Sequence, residues 1–156
     1  MSLRRFEAVQ VVPVSLDEAW AFFSDPANLA AITPPWLGFT VSSPLPARMH
    51  PGMIVTYTVR PFAGLPVRWV TEITHVVEGT LFVDEQRMGP YRFWHHQHHF
   101  RQVDGGVELR DIVHYALPFG PLGAALARWL VAPRIREIFR YRRRALVARF
   151  GAPDSP

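Results

Sequence analysis

Between Phe39 and Tyr115 apolar residues recur at every second position, interrupted by turn-rich clusters at SSPLP, HPG, FAGLP, VEG, MGP and DGG. Alternation sends successive side chains to opposite sides of an extended chain, so such a run predicts about six short antiparallel strands joined by hairpins. In 53–59, Met53, Val55, Tyr57 and Val59 share one side, against Ile54, Thr56 and Thr58. In 67–77, Val67, Trp69, Thr71, Ile73 and Val77 oppose Arg68, Val70, Glu72 and Thr74. Each strand has one more apolar side, as expected of a sheet covered on a single face.

The flanks supply the cover. Residues 3–12 predict one more strand, ended by Pro13, and Ser15 with Glu18 forms a capping box ahead of helically spaced Leu16, Ala19, Trp20 and Phe23. Asp25 is positioned to cap a second short helix with Pro26 at its first position, running to about Ile32 and stopped by Thr33-Pro34-Pro35-Trp36. After Pro118, Leu122, Leu126, Trp129 and Leu130, then Ile135, Ile138, Phe139, Ala145 and Leu146, have the spacing of one long C-terminal helix, with a kink or short break expected at Pro133. The sum is an α+β domain over 1–150, a flexible tail at 151–156, and a long helix lying across the concave side of a curved sheet of about seven strands. A cavity can remain between them.

At 156 residues, 49% of them hydrophobic, the chain supports one well-filled core without staples. With no cysteine, disulfides and thiolate chemistry are excluded. The most apolar stretch, Ala116–Leu130, contains Pro118, Pro121 and Arg128 and falls short of the roughly 18–20 residues of a membrane-spanning helix. No apolar segment of the secretory type follows MSLRRFEAVQ, and the expected compartment is the cytoplasm. The net charge of +4 comes entirely from arginine, much of it in PRIREIFRYRRRALVARF. This segment is expected to be a solvated helix face. Nucleic acid is not an expected partner, and contact with a membrane surface is the lesser expectation for these arginines.

FWHHQHHF, residues 93–100, holds four of the seven histidines. Alternation divides it: Trp94, His96, His98 and Phe100 on one face, Phe93, His95, Gln97 and His99 on the other. If Asp104-Gly105 forms a two-residue type I′ loop, Val103 pairs with Gly106, setting Phe100 opposite Leu109, His98 opposite Asp111, His96 opposite Val113 and Trp94 opposite Tyr115. The first face is then the cavity side, and His95 and His99 belong to solvent. Three uses of His96 and His98 stay open. They can form a fixed polar network with Asp111, Tyr115 and Trp94. They can anchor the polar end of a ligand whose apolar body lies among Met53, Tyr57, Trp69, Ile73 and the C-terminal helix. As a His-x-His pair they can also ligate a metal with Asp111 or Asp84 as third ligand, although no cofactor or metal is required. Asp84 and Gln86 share a strand face and either supply a pocket carboxylate and amide or brace the MGP turn. Pro34-Pro35-Trp36 gates the cavity or packs the end of the sheet.

The segments NLAAITPPWLGFTV, FVDEQRMGPYRFWHHQHHF, DIVHYALPFGPLG and IFRYRRRALVARF resemble a bacterial ligand-binding group of the SRPBCC (START and Bet v 1-like) superfamily. Some of its members are named as cell-division inhibitors or occur fused to sugar-nucleotide epimerase-like domains. The resemblance covers roughly residues 3–150 and rests most on Asp84, Gln86, Gly89-Pro90-Tyr91, Trp94, His96, His98, Phe100, Asp111 and Tyr115. It implies a helix-grip fold with a deep apolar cavity and a carrier or sensor role for a small hydrophobic or amphipathic molecule. Trp94, His96, His98, Asp111, Tyr115, Tyr57, Trp69, Asp84 and Gln86 are the candidate ligand contacts. The alternative is a cyclase, dehydratase or hydrolase in which His98, oriented by Asp111, acts as general base or acid. No separate nucleophile stands out: Ser42 and Ser43 fall in a turn, and there is no Gly-x-Ser-x-Gly elbow.

Overall fold

The computed structural model describes residues 2–46, 48–61 and 64–153. Part of the FAGLP turn, at 62–63, and the end of the expected tail, at 154–156, lie outside the described residues. Strand β1 (Arg4–Val12) leads into helix α1 (Leu16–Phe23), a 3-10 segment (Pro26–Ile32) and a single 3-10 turn (Pro35–Leu37). Strands β2 (Thr40–Val41), β3 (Met53–Val59), β4 (Val67–Val77), β5 (Leu81–Met88), β6 (Phe93–Val103) and β7 (Gly106–Ala116) follow. The chain ends in α2 (Gly120–Leu126), a π-helical turn (Ala127–Val131) and α3 (Ala132–Phe150). All strand pairs are antiparallel, in one seven-stranded sheet ordered β1-β7-β6-β5-β4-β3-β2.

The caps are the expected ones. The Ser15 hydroxyl accepts from the Glu18 N–H, and the Asp25 carboxylate accepts from the Ala27 N–H. Ala19 and Phe22 of α1 pack with Phe82, Phe100, Leu109 and Leu146, a core that closes one end of the sheet. A second core under the C-terminal helix joins Val113 and Tyr115 to Ala127, Val131 and Ile135.

Three local expectations need correction. At Pro133 the disturbance takes the form of a π turn just ahead of the proline rather than a break in the helix. Proline removes one N–H and crowds the carbonyl four residues back, and the helix absorbs this by widening to a π turn over Ala127–Val131. In β4 the pairing shifts between Ile73 and His75, so Thr74 is an extra residue and the faces exchange beyond it. Val76, not Val77, therefore turns toward the core, and Val77 is 53% exposed. The Asp104-Gly105 loop has two residues and the expected register, but it is not type I′. Gly105 has φ +78° and Asp104 is not among the positive-φ residues, since an L side chain resists that region and the glycine takes it alone.

Candidate functional site

Three adjacent strands assemble the site. The hairpin pairs His98 with Asp111, His96 with Val113 and Trp94 with Tyr115, as its loop predicts. On the other side of β6, β5 pairs Asp84 with His96 and Phe82 with His98. Asp84, the two imidazoles and Asp111 thereby share one patch, and α3 brings Arg142 across it.

The contacts are dense. Asp111 Oδ1 lies 2.8 Å from His96 Nε2 and 3.0 Å from His98 Nδ1, and it accepts from Arg142 Nη1 at 3.0 Å. Asp84 Oδ2 lies 2.7 Å from His98 Nε2 and 3.4 Å from His96 Nδ1. The two imidazole centroids are 3.7 Å apart, and Phe82 stacks on His98 at 4.0 Å. His96, Asp111 and Arg142 are buried.

Electrostatics set the two histidines apart. Both ring nitrogens of His98 lie within 3.0 Å of carboxylate oxygens, which favours its protonated form. Burial pushes its pKa down, but the hydrogen bonds to Asp111 and Asp84 outweigh this and hold it above the ordinary histidine value. Burial and the charge on His98 keep His96 below that value. Burial would raise both carboxyls. The Arg142 guanidinium and the imidazole hydrogen bonds instead bring Asp111 well below the usual carboxylate range, and His96, His98 and Arg142 bring Asp84 below it. Two carboxylates thus face one guanidinium and two imidazoles, opposite charges held together as a buried cluster requires.

These opposite histidine shifts give a testable pH profile. A group with a raised folded pKa, as His98, contributes stability that is complete below its unfolded value near 6.5 and is lost as pH climbs through the folded one. A histidine with a depressed folded pKa, as His96, contributes stability present above that value and lost as pH falls. The histidine pair therefore gives a stability maximum close to pH 6.5. Melting temperature against pH is expected to decline above that point, and His98→Gln is expected to abolish the decline while leaving the acid limb.

Asp84, His96, His98 and Arg142 form part of the wall of a cavity of about 450 Å³ between the sheet, the segment after α1 and the C-terminal helix, whereas Asp111, an expected ligand contact, holds them without lining it. The remaining wall is largely apolar. Tyr57 and Trp69 line it with their rings nearly parallel at 5.9 Å, and Trp94 meets Trp69 edge-on at 5.2 Å. Trp36, Phe119 and Leu130 both line the cavity and reach solvent, which marks the rim, and the Arg134 guanidinium sits 5.0 Å over the Trp36 ring.

Not every expected residue is at this wall. Tyr115 lies opposite Trp94 but is buried in the second core rather than lining the cavity. The Gln86 amide accepts from the Tyr91 N–H and donates to the Tyr91 carbonyl, which braces the turn between β5 and β6. His98 does face Asp111, but it makes a shorter contact to Asp84. His95 and His99 lie on the other face, half-buried, bonded to Glu85 and Gln97. The arginine-rich segment is not uniformly solvated: Arg142 is 8% exposed and was missed as a site residue. Its signal was available, since Ile135, Phe139, Arg142 and Leu146 follow one another at helical spacing and put this arginine on the apolar stripe. Among the described residues no helix is long and apolar enough to cross a membrane.

A family model described as polyketide cyclase / dehydrase and lipid transport matches residues 12–140. No curated protein matches the chain. Among solved structures, the Zhui aromatase/cyclase of Streptomyces sp. R1128 superposes with a TM-score of 0.74 at 16% identity, over 95% of this chain and 93% of that one. Ara h 8.0201 superposes with a TM-score of 0.63 at 15% identity, over 94% and 99%. The nucleoside-diphosphate sugar epimerase of Corynebacterium glutamicum gives 0.63 at 20% identity, over 92% of this chain but only 28% of that one. At these identities the likeness is one of fold: the curved antiparallel sheet and long C-terminal helix of the helix-grip arrangement.

Proposed function

Because the chain belongs to the polyketide cyclase/dehydrase and lipid transport family, we propose that its cavity takes up one small amphipathic molecule, apolar body among the aromatic walls and polar end against Asp84, His96 and His98. The observation that carries this is the contrast within one space: a largely apolar lining of about 450 Å³ with a polar cluster of Asp84, His96, His98 and Arg142 set into it. Pockets that bind small molecules have this composition, many apolar contacts for affinity and few polar groups for orientation. The indole N–H of Trp69 supports the reading, since it is buried at the cavity wall without a hydrogen-bond partner and suits an acceptor on the ligand.

The test is to fill the space. Ile135→Trp projects a larger ring from α3 into the cavity and is expected to cut binding of a neutral solvatochromic naphthalene dye at least tenfold, about 1.4 kcal/mol or more. Native mass spectrometry of the unaltered protein is expected to show a co-purifying apolar molecule that the variant lacks. Equal dye affinity in both proteins would remove the cavity as the binding place.

One observation favours chemistry in the same cavity as a second reading. His98 lines it with both ring nitrogens on carboxylates, an arrangement able to hold and hand over a proton near neutral pH. In that reading His98→Gln abolishes turnover of a cyclisable or dehydratable substrate while dye affinity is retained. A carrier has no turnover to lose.

A further inference from the structure

We propose that Asp84, His96 and His98 form a binding site for one divalent first-row transition ion, of the Zn²⁺ or Fe²⁺ kind, whose remaining coordination positions face the cavity. One donor atom from each residue lies within 4.8 Å of the other two. The orientation of the rings is more telling than the distance. His96 Nδ1 and His98 Nε2 both turn toward Asp84 Oδ2, at 3.4 and 2.7 Å, whereas His96 Nε2 and His98 Nδ1 both turn away, toward the single oxygen Asp111 Oδ1. A metal-ligating histidine needs this division: its outer N–H is held by a carboxylate, which fixes the tautomer and frees the inner lone pair. Here one carboxylate serves both rings and is itself held by Arg142, and at His98 the ion displaces the proton that Nε2 shares with Asp84 Oδ2.

A self-contained network does not account for His96. Its Nε2 is bonded to Asp111, whereas its Nδ1 makes no hydrogen bond and faces Asp84 Oδ2 from 3.4 Å. A cation between them converts that contact into two bonds. Ligand bonds of about 2.0–2.2 Å place donors about 3.0–3.5 Å apart, so the His96–Asp84 pair is already at the right separation and the His98–Asp84 pair has to open slightly. Two imidazoles with one carboxylate suit zinc, iron or cobalt rather than magnesium or calcium. Three protein ligands leave a position for an exogenous group, as in catalytic rather than structural centres. The inference adds to the ligand-binding reading of the cavity by giving the incoming molecule a partner for an ionisable oxygen.

The experiment uses chelator-stripped full-length protein, Zn²⁺ titrated by calorimetry and Co²⁺ followed by its visible absorption, with no organic ligand present. One ion per chain is expected. Asp84→Asn and His96→Gln are expected to weaken binding by more than the roughly 10–100-fold of an outer-sphere change, and Asp111→Asn by about that 10–100-fold with the stoichiometry kept. His95→Gln controls for the outer face, where His95 and His114 lie 6.3 Å apart, and is expected to change nothing. Circular dichroism of each variant separates lost ligands from lost fold, and Asp111→Asn, which keeps all three ligands, tests the arrangement if His96→Gln does not fold. No binding, binding that survives Asp84→Asn, or binding lost with His95→Gln overturns the proposal. Because the titration contains no organic molecule, its failure leaves the cavity reading standing, and failure of dye binding leaves the metal result standing.

Discussion

Arg142→Met is expected to lower the stability of the protein by about 3–5 kcal/mol, the usual consequence of deleting one partner of a buried ion pair. Arg142 is 8% exposed and Asp111 9%, and the guanidinium gives Asp111 its strongest favourable charge contact. Without it, burial pushes the Asp111 carboxyl upward, and the folded state must either keep an undercompensated anion or bind a proton. The deficit is therefore greatest at neutral and higher pH and shrinks in acid. In the unaltered protein the depressed Asp111 contributes stability above its unfolded value of about 3.8 that disappears as pH falls through the folded one. The double variant Arg142→Met with Asp111→Asn removes both charges, and much of the loss is expected to return. Urea titrations of the unaltered protein and the two variants at pH 5 and pH 8 measure this. Equal losses at both pH values, or no recovery in the double variant, would sink the account.

The second large effect lies at the hairpin that sets the register. Gly106 has φ +147°, and a Cβ placed there would overlap the Val12 carbonyl oxygen, with the Val12 carbonyl carbon and Pro13 Cα both at 2.9 Å. These are backbone atoms of the paired neighbour, so no side chain can turn aside. Gly106→Ala is expected to cost about 3 kcal/mol or more, combining a strained dihedral with a clash that forces β1 from β7. Its neighbour supplies the contrast. Gly105, at φ +78°, has nothing within 4 Å of such an atom, and Gly105→Ala is expected to cost only about 1 kcal/mol of turn strain. Hydrogen exchange is expected to show lost protection along the β1–β7 ladder in the first variant alone. Similar behaviour of the two would mean that the dihedral, not the approach of β1, decides.

What could be read from residues alone follows from the range of the forces involved. The β6–β7 register is fixed by a two-residue loop and by apolar pairing on one face, both local, so the His98–Asp111 and Trp94–Tyr115 pairings were legible although the turn type was not. The β5–β6 partners were not, because the MGP turn does not fix its own length, and Asp84 beside His96 had to come from the structure. Arg142 shows a different failure. Its composition says surface and its helical position says core; composition was the wrong guide because a buried carboxylate waited on another element. Tyr115 failed in the reverse sense: a correct cross-strand partner did not make it a cavity residue, since the C-terminal helix covers that end of the sheet. The bulge at Thr74 left no mark in the alternation, as Val76 and Val77 are interchangeable to any pattern.

That extra residue divides β4 between two neighbourhoods. Up to Ile73 its inward side chains, Trp69 and Thr71 among them, face the space that receives a ligand; beyond it Val76 packs toward the core under α1. Val76 also packs against the cluster of Met53, Val55 and Ile73, two of which line the cavity, so substitutions in the two halves share neighbours and their effects are not expected to add. A one-residue insertion in a strand thus couples how firmly this chain folds to the shape of what it can hold.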